Sequence, residues 1–444
     1  MTHYPTQIID TLIDARWIVP VEPERQVLSH HSLAIDAGRI VALLPSAEAH
    51  LKYPARHHLR LEDHVLIPGL VNLHTHAPMN LLRGLADDLP LMEWLNHHIW
   101  PVEGKFVSPD FVRDGTLLAC AEMLRSGITC FNEMYFYPRA IAQAVTVAGM
   151  RAAIGMIVLE FPTSYAADAE DYLGKGLEFR DEIMNEALIS TSLAPHAPYT
   201  VSDATFSAVL TYAEQLNLNI HLHLHETLDE IAQSLAEHHQ RPIQRLHHLG
   251  LLGPNLIAVH AVHLNPDEIA LLAAQGCHVA HCPTSNMKLA NGITPISSLW
   301  RQGVNIGLGS DGAASNNRLD LFSEMRLAAL LAKGINNDAR VLPAHQVLQM
   351  ATLNGARALG LEGEIGSLVP GKAADIVALR LSELETVPCY DVVSHLAYAA
   401  GREHVSHVWV NGELLLDERR LTRLDQRELL AKAAFWQKKI SQGK

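Results

Sequence analysis

The chain has 444 residues, 48 % of them hydrophobic and 18 % charged, the make-up of a globular protein with room for a large core. Its net charge is −14 and it contains no basic block. That balance argues against a nucleic-acid backbone as partner and against an anionic membrane surface.

Five cysteines (Cys120, Cys130, Cys277, Cys282 and Cys389) form no CxxC pair and no even framework. They are expected to be reduced thiols in a cytoplasmic protein. The opening Met1–Gln7 has no basic stretch followed by an apolar one, so no export signal is expected. No apolar run is long enough to predict a membrane span.

Residues 1–67 read as short strands and turns. Ile8–Val19, Ser32–Leu44 and His57–Leu66 are β-rich, with a hairpin turn at Ala37-Gly38. From residue 66 onward, short β-like runs alternate with helical stretches. The runs are Leu66–His76, Gly127–Met134, Arg151–Leu159, Leu188–His196, Asn219–His225, Leu256–His263, Gly276–Cys282 and Val304–Ser310. Successive βα units of this number predict a closed (β/α)8 TIM barrel over 68–367, with its active site at the C-terminal strand ends. Beyond it, residues 371–379 read as turn then strand, Val405–Leu416 as a hairpin around Asn411-Gly412, and 424–440 as a terminal helix. The flanks, 1–67 and 368–444, are expected to form one small composite β-sandwich.

The strand ends carry an unusual share of His, Asp and Glu. The first run ends Leu-His-Thr-His. Residues i and i+2 of a strand share a side, so His74 and His76 can aim at one point. The fifth run reads His221-Leu-His223-Leu-His225-Glu226. These three histidines lie at different heights; His223 is placed near the top, His221 a layer deeper, and His225 out of register. Glu226 suits a carboxyl group leaning over the site, or an acid at a helix N-terminus. On the sixth run, His260 and His263 are three apart and cannot both face the site; His260 is preferred for orienting a water. The eighth run leads into Gly309-Ser-Asp311-Gly-Ala-Ala. Asp311 suits a metal ligand, a proton acceptor, or both, and its small neighbours would let a ligand approach the backbone.

His74, His76, His223 and Asp311 thus define a centre for one divalent ion, with zinc the best match and iron an alternative. The fourth run ends without a lysine, which argues against a bridged two-metal site. Such an ion brings bound water towards neutral pKa. With Asp311 accepting a proton, Glu226 donating one and His260 holding the water, the set fits attack on an electron-poor C=N carbon and loss of an amine. It would also serve amide hydrolysis.

With these residues in place, the chain resembles the amidohydrolase superfamily, and within it the 5′-methylthioadenosine/S-adenosylhomocysteine deaminases. The resemblance spans nearly the whole length and rests on PGLVNLHTHAPMNLLRGLADDLPLMEWL (68–95), HLHET (223–227), SNMKLANG (285–292) and GSDGAASNN (309–317). It implies deamination of the adenine ring of a small purine nucleoside by a homo-oligomer, dimer or tetramer. His74, His76, His223 and Asp311 match the family's metal positions, Glu226 its proton shuttle and His260 its water partner. Glu103 corresponds to a carboxylate accepting both ribose hydroxyls, and His196 to a residue hydrogen-bonding the adenine ring. Better-known members carry an arginine near the end of strand three; Met156 is expected at that position. With Trp94 and Met92, it would make an apolar pocket and favour methylthioadenosine over S-adenosylhomocysteine. The competing readings are a guanine, cytosine or triazine hydrolase of the same superfamily, and a metal-free relative that has lost catalysis.

Overall fold

The computed structural model describes residues 8–443. The segment 1–7, expected to carry no export signal, lies outside them. Two eight-stranded sheets account for all the named strands.

The first sheet is mixed and comes from both ends of the chain. It comprises β1 (Ile9–Ile18), β2 (Leu28–Asp36), β3 (Arg39–Pro45) and β4 (Ala55–Pro68) from the N-terminal side. From the C-terminal side come β13 (Ile376–Arg380), β14 (Val405–Val410), β15 (Glu413–Asp417) and β16 (Arg420–Leu421). The strand order is β16-β15-β14-β13-β4-β1-β2-β3. The two halves join where β13 pairs antiparallel with the end of β4, Val377 opposite Ile67. Ile13, Leu33, Ile35, Leu66, Ile376 and Trp409, drawn from both halves, share one buried apolar cluster. Removing that surface from water is what ties the distant chain ends together.

The second sheet is parallel throughout: β5 (Leu70–Thr75), β6 (Ile128–Tyr135), β7 (Arg151–Val158), β8 (Ile189–Pro195), β9 (Asn219–Leu224), β10 (Leu256–His260), β11 (His278–His281) and β12 (Asn305–Leu308). Each strand pairs with the next in sequence, and helices fill the crossovers. Just beyond β12 the chain returns to β5, where Asp311 N donates to His74 O (3.0 Å). This is the TIM-barrel topology expected from the alternating pattern. One boundary differs: Leu66–Pro68 belong to β4 of the mixed sheet, and the first barrel strand starts at Leu70. A continuous apolar run hid the break, because both segments are buried.

Barrel and mixed sheet are pinned by a buried ion pair. Arg151, at the base of β7, reaches Asp375 through Nε (3.1 Å) and a terminal nitrogen (3.3 Å). Asp375 Oδ1 also accepts from Asn411 N (2.8 Å), in the β14–β15 turn. Among the described residues, no helix is long and apolar enough to cross a membrane.

Candidate active site and metal centre

The C-terminal ends of the barrel strands bring His74, His76, His223, His260 and Asp311 to one buried point. His74 Nε2 lies 3.2 Å from Asp311 Oδ1, and His76 Nε2 3.3 Å from the same oxygen. His223 Nε2 lies 3.2 Å from His74 Nε2. Ligand atoms of His74, His76 and His223, and separately of His74, His260 and Asp311, all fall within 4.8 Å of one another.

The backbone does unusual work to achieve this. His260 (φ 70°), ending β10, and Asp311 (φ 61°), just after β12, both adopt left-handed conformations that cost a non-glycine residue about 1–3 kcal/mol. The small residues around Asp311 allow close approach, though of protein rather than ligand. A Cβ on Gly309 would lie 2.9 Å from His74 Cβ, and one on Gly312 would lie 3.1 Å from His76 Cβ. Glycine at both places lets the Asp311 loop press against the strand that carries the two histidines.

Hydrogen bonds at the far ring nitrogens fix the imidazoles. His76 Nδ1 donates to Met134 O (2.6 Å) and His223 Nδ1 to His196 O (2.9 Å). A carbonyl oxygen only accepts, so Nε2 of each ring presents a lone pair to the centre. His74 Nδ1 lies 2.9 Å from His221 Nε2. Burial pushes His74 down to about 4, and carries His223 well below the ordinary histidine range. Burial pushes Asp311 up, but the hydrogen bond and charge of His74, with His76 and His260, outweigh it and hold the carboxyl well below its usual range. Its Oδ2 accepts from Ser285 Oγ (2.6 Å) and Ser315 Oγ (2.8 Å). Three imidazoles and one carboxylate, crowded together out of water, form a donor set that fits a divalent cation.

Beside this centre, Glu226 accepts a hydrogen bond from Asn291 Nδ2 (2.8 Å). Burial raises its pKa, with the charge of His260 opposing. His260 Nε2 stands 3.7 Å from Glu226 Oε1, while its Nδ1 donates to Asn286 Oδ1 (2.8 Å). Glu103 sits on the helix Trp100–Phe106. Burial pushes its carboxyl up to about 7, although Tyr135 donates to Oε1 (2.5 Å) and works the other way. His196, pushed down to about 3 by burial, lies 3.1 Å from Thr200 Oγ1.

These groups face a cavity of about 500 Å³. His76, Glu103, His196, His223, Glu226, His260 and Asp311 line it, with Trp94, Leu95, Phe136, Ile157, Leu159 and Phe161 forming apolar wall. Among the described residues, no lysine or arginine lines it. Met156 and Met92 do not line it either. Met156 points outward: a Cβ on Gly176, in the helix Ala169–Ile183, would lie 2.9 Å from Met156 Cβ. Strand alternation gives the inward position to its neighbour Ile157. His225 is turned away, with Nδ1 donating to His263 O (3.1 Å) and Nε2 accepting from Ile243 N (3.1 Å). Sequence reasoning missed Tyr135, Asn286, Asn291 and Ser285. Three of the four lie in SNMKLANG, which stood out as a motif without showing what its side chains touch.

This barrel, with its metal-fit centre at the strand ends, matches the amidohydrolase family over residues 65–415. A 5-methylthioadenosine/S-adenosylhomocysteine deaminase from Teredinibacter turnerae is 47 % identical over 435 residues, covering 98 % of each chain. The crystal structure of an adenosine deaminase from Xanthomonas campestris with bound zinc is 49 % identical, covers 99 % of this chain and 100 % of that one, and superposes with a TM-score of 0.97. Atrazine chlorohydrolase from Arthrobacter aurescens, 22 % identical over 96 % of this chain and 99 % of its own (TM-score 0.88), shares the fold alone. The chain belongs to the amidohydrolase family and, within it, to the group of 5-methylthioadenosine/S-adenosylhomocysteine deaminases.

Proposed function

We propose that this protein hydrolytically deaminates the adenine ring of 5′-methylthioadenosine, giving 5′-methylthioinosine and ammonia, with one zinc ion held by His74, His76, His223 and Asp311. The observation that carries the reading is that the three imidazoles and Asp311 Oδ1 meet at the floor of a cavity also lined by Glu226 and Glu103. Zinc at that point supplies an activated water at neutral pH.

The chain's own residues complete the chemistry. Glu226, whose pKa is raised by burial, is suited to give a proton to ring N1 as C6 is attacked. Asp311, held anionic, takes a proton from the attacking water. His260 has Nδ1 committed to Asn286, so its Nε2 lone pair accepts a hydrogen bond from that water. Protons passing to the exocyclic nitrogen let it leave as ammonia. Glu103 takes the ribose hydroxyls and His196 the purine.

The preference for methylthioadenosine follows from the wall. The amino-acid tail of S-adenosylhomocysteine carries a carboxylate, and among the described residues no lysine or arginine lines the cavity to meet it. With its net charge of −14, the protein is assigned a free nucleoside rather than nucleic acid as substrate. It is further assigned to the cytoplasm, as a homo-oligomer.

A panel of methylthioadenosine, S-adenosylhomocysteine, adenosine and guanine, read by ammonia release, tests the proposal. Methylthioadenosine should give the highest kcat/KM. Turnover of guanine with none of the nucleosides would overturn it.

A further inference from the structure

The mixed sheet carries a second cluster of metal-ligand type, on residues that the barrel chemistry does not use. Asp14 lies in the middle of β1, His58 on β4, and His50 on the short helix Ser46–Lys52 that covers this face. β1 and β4 run parallel with Leu12 opposite His58 and Asp14 opposite Arg60, so His58 lies one alternate position from Asp14 on the same side. The helix is anchored by Ala49, fully buried in a cluster with Ile9, Leu12 and Ala34. Three elements therefore fix the three side chains independently.

Both imidazoles aim the same nitrogen at the same carboxylate. His58 Nε2 lies 2.8 Å from Asp14 Oδ2. His50 Nε2 lies 2.9 Å from Oδ2 and 3.0 Å from Oδ1. All three ligand atoms fall within 4.8 Å of one another. Ser32 Oγ, opposite Asp14 on β2, donates to Oδ1 (2.5 Å) and orients the carboxylate from behind. The two rings meet edge to face at 5.0 Å, as imidazoles converging on one point do. The Asp14 side chain is 13 % exposed, whereas His50 and His58 are 40 % and 31 % exposed. The site thus has a shielded anion at its base and an open side for water.

We propose that Asp14, His50 and His58 form a second divalent-metal site, of the two-imidazole, one-carboxylate type that takes zinc with water completing the shell. A tetrahedral zinc with bonds of about 2.0–2.1 Å separates its ligands by roughly 3.3 Å. The His50–Asp14 and His58–Asp14 separations need to open by only a few tenths of an ångström, and the exposed rings have room to move. On loading, Nε2 of each imidazole turns its lone pair to the ion and the ring proton sits on Nδ1. Its consequence is mechanical: the ion staples the covering helix to β1 and β4.

The test uses the full chain already carrying one zinc, titrated with further zinc by calorimetry. Wild type should take one additional equivalent and show a zinc-dependent rise in Tm. His58→Ala and His50→Ala should each weaken that binding by at least about tenfold. His247→Ala, another exposed histidine, should leave it unchanged. His58→Gln keeps a hydrogen-bond donor facing Asp14 but is a poor zinc ligand. It should match wild-type Tm in chelator yet lose the zinc-dependent rise. Absence of the additional equivalent in wild type, or its full retention in His58→Ala, would overturn the proposal.

Discussion

His221 Nε2 lies 2.9 Å from His74 Nδ1, one layer below the metal centre. His221 Nδ1 has no partner among the described residues, so this contact is the one hydrogen bond its ring makes. It sets which nitrogen of His74 faces the centre. His221→Ala should therefore lower zinc affinity by about 10–100-fold while the barrel stays folded. Competition with a chromogenic chelator measures this; unchanged affinity would assign His221 to packing alone.

Glu226 is held by Asn291, and burial raises its pKa against the charge of His260. Glu226→Gln preserves the shape and the Asn291 contact but cannot donate a proton. It should lower kcat by about 10²–10⁴-fold with little change in KM. Turnover near wild type would move the proton transfer to another group.

Glu103 couples function to pH-dependent stability. Its carboxyl is pushed by burial from an ordinary 4.5 to about 7. Between these values the unfolded chain has lost the proton that the folded chain keeps. This group's contribution is therefore complete below 4.5 and is lost as pH rises through 7. Glu103→Gln removes the loss. Relative to wild type it should gain about 1–3 kcal/mol between pH 5 and pH 8, while KM for methylthioadenosine rises. Denaturant melts at the two pH values check the sign.

Specificity should follow Ile157, not Met156. Met156 faces the helix Ala169–Ile183, so Met156→Leu should change the ratio of kcat/KM for methylthioadenosine over S-adenosylhomocysteine by less than about twofold. Ile157→Arg places a cation in the cavity wall and should shift that ratio towards S-adenosylhomocysteine by about tenfold. A larger response to Met156→Leu would contradict the outward orientation.

The barrel was legible in the sequence because its period is: apolar runs ending in histidine or aspartate recur between helical stretches. His74, His76, His223 and Asp311 could be named from strand parity and chain order. Met156 was misplaced because alternation is unforgiving. Aligning the strand end one residue early exchanges the inside of the barrel for the outside. The supporting bonds were beyond reach for another reason. Tyr135 to Glu103, Asn291 to Glu226 and Ser285 to Asp311 join residues 26 to 65 positions apart, and only the closed barrel brings them together. The left-handed backbone of His260 and Asp311 left no mark either, since neither residue type demands it.

The most direct measurement is ammonia release from methylthioadenosine by protein stripped of metal, followed as zinc is added back. The expected result is no turnover at the start, recovery in proportion to the first equivalent of zinc, and no recovery in Asp311→Asn. Full turnover by the metal-free protein would contradict the account at its centre.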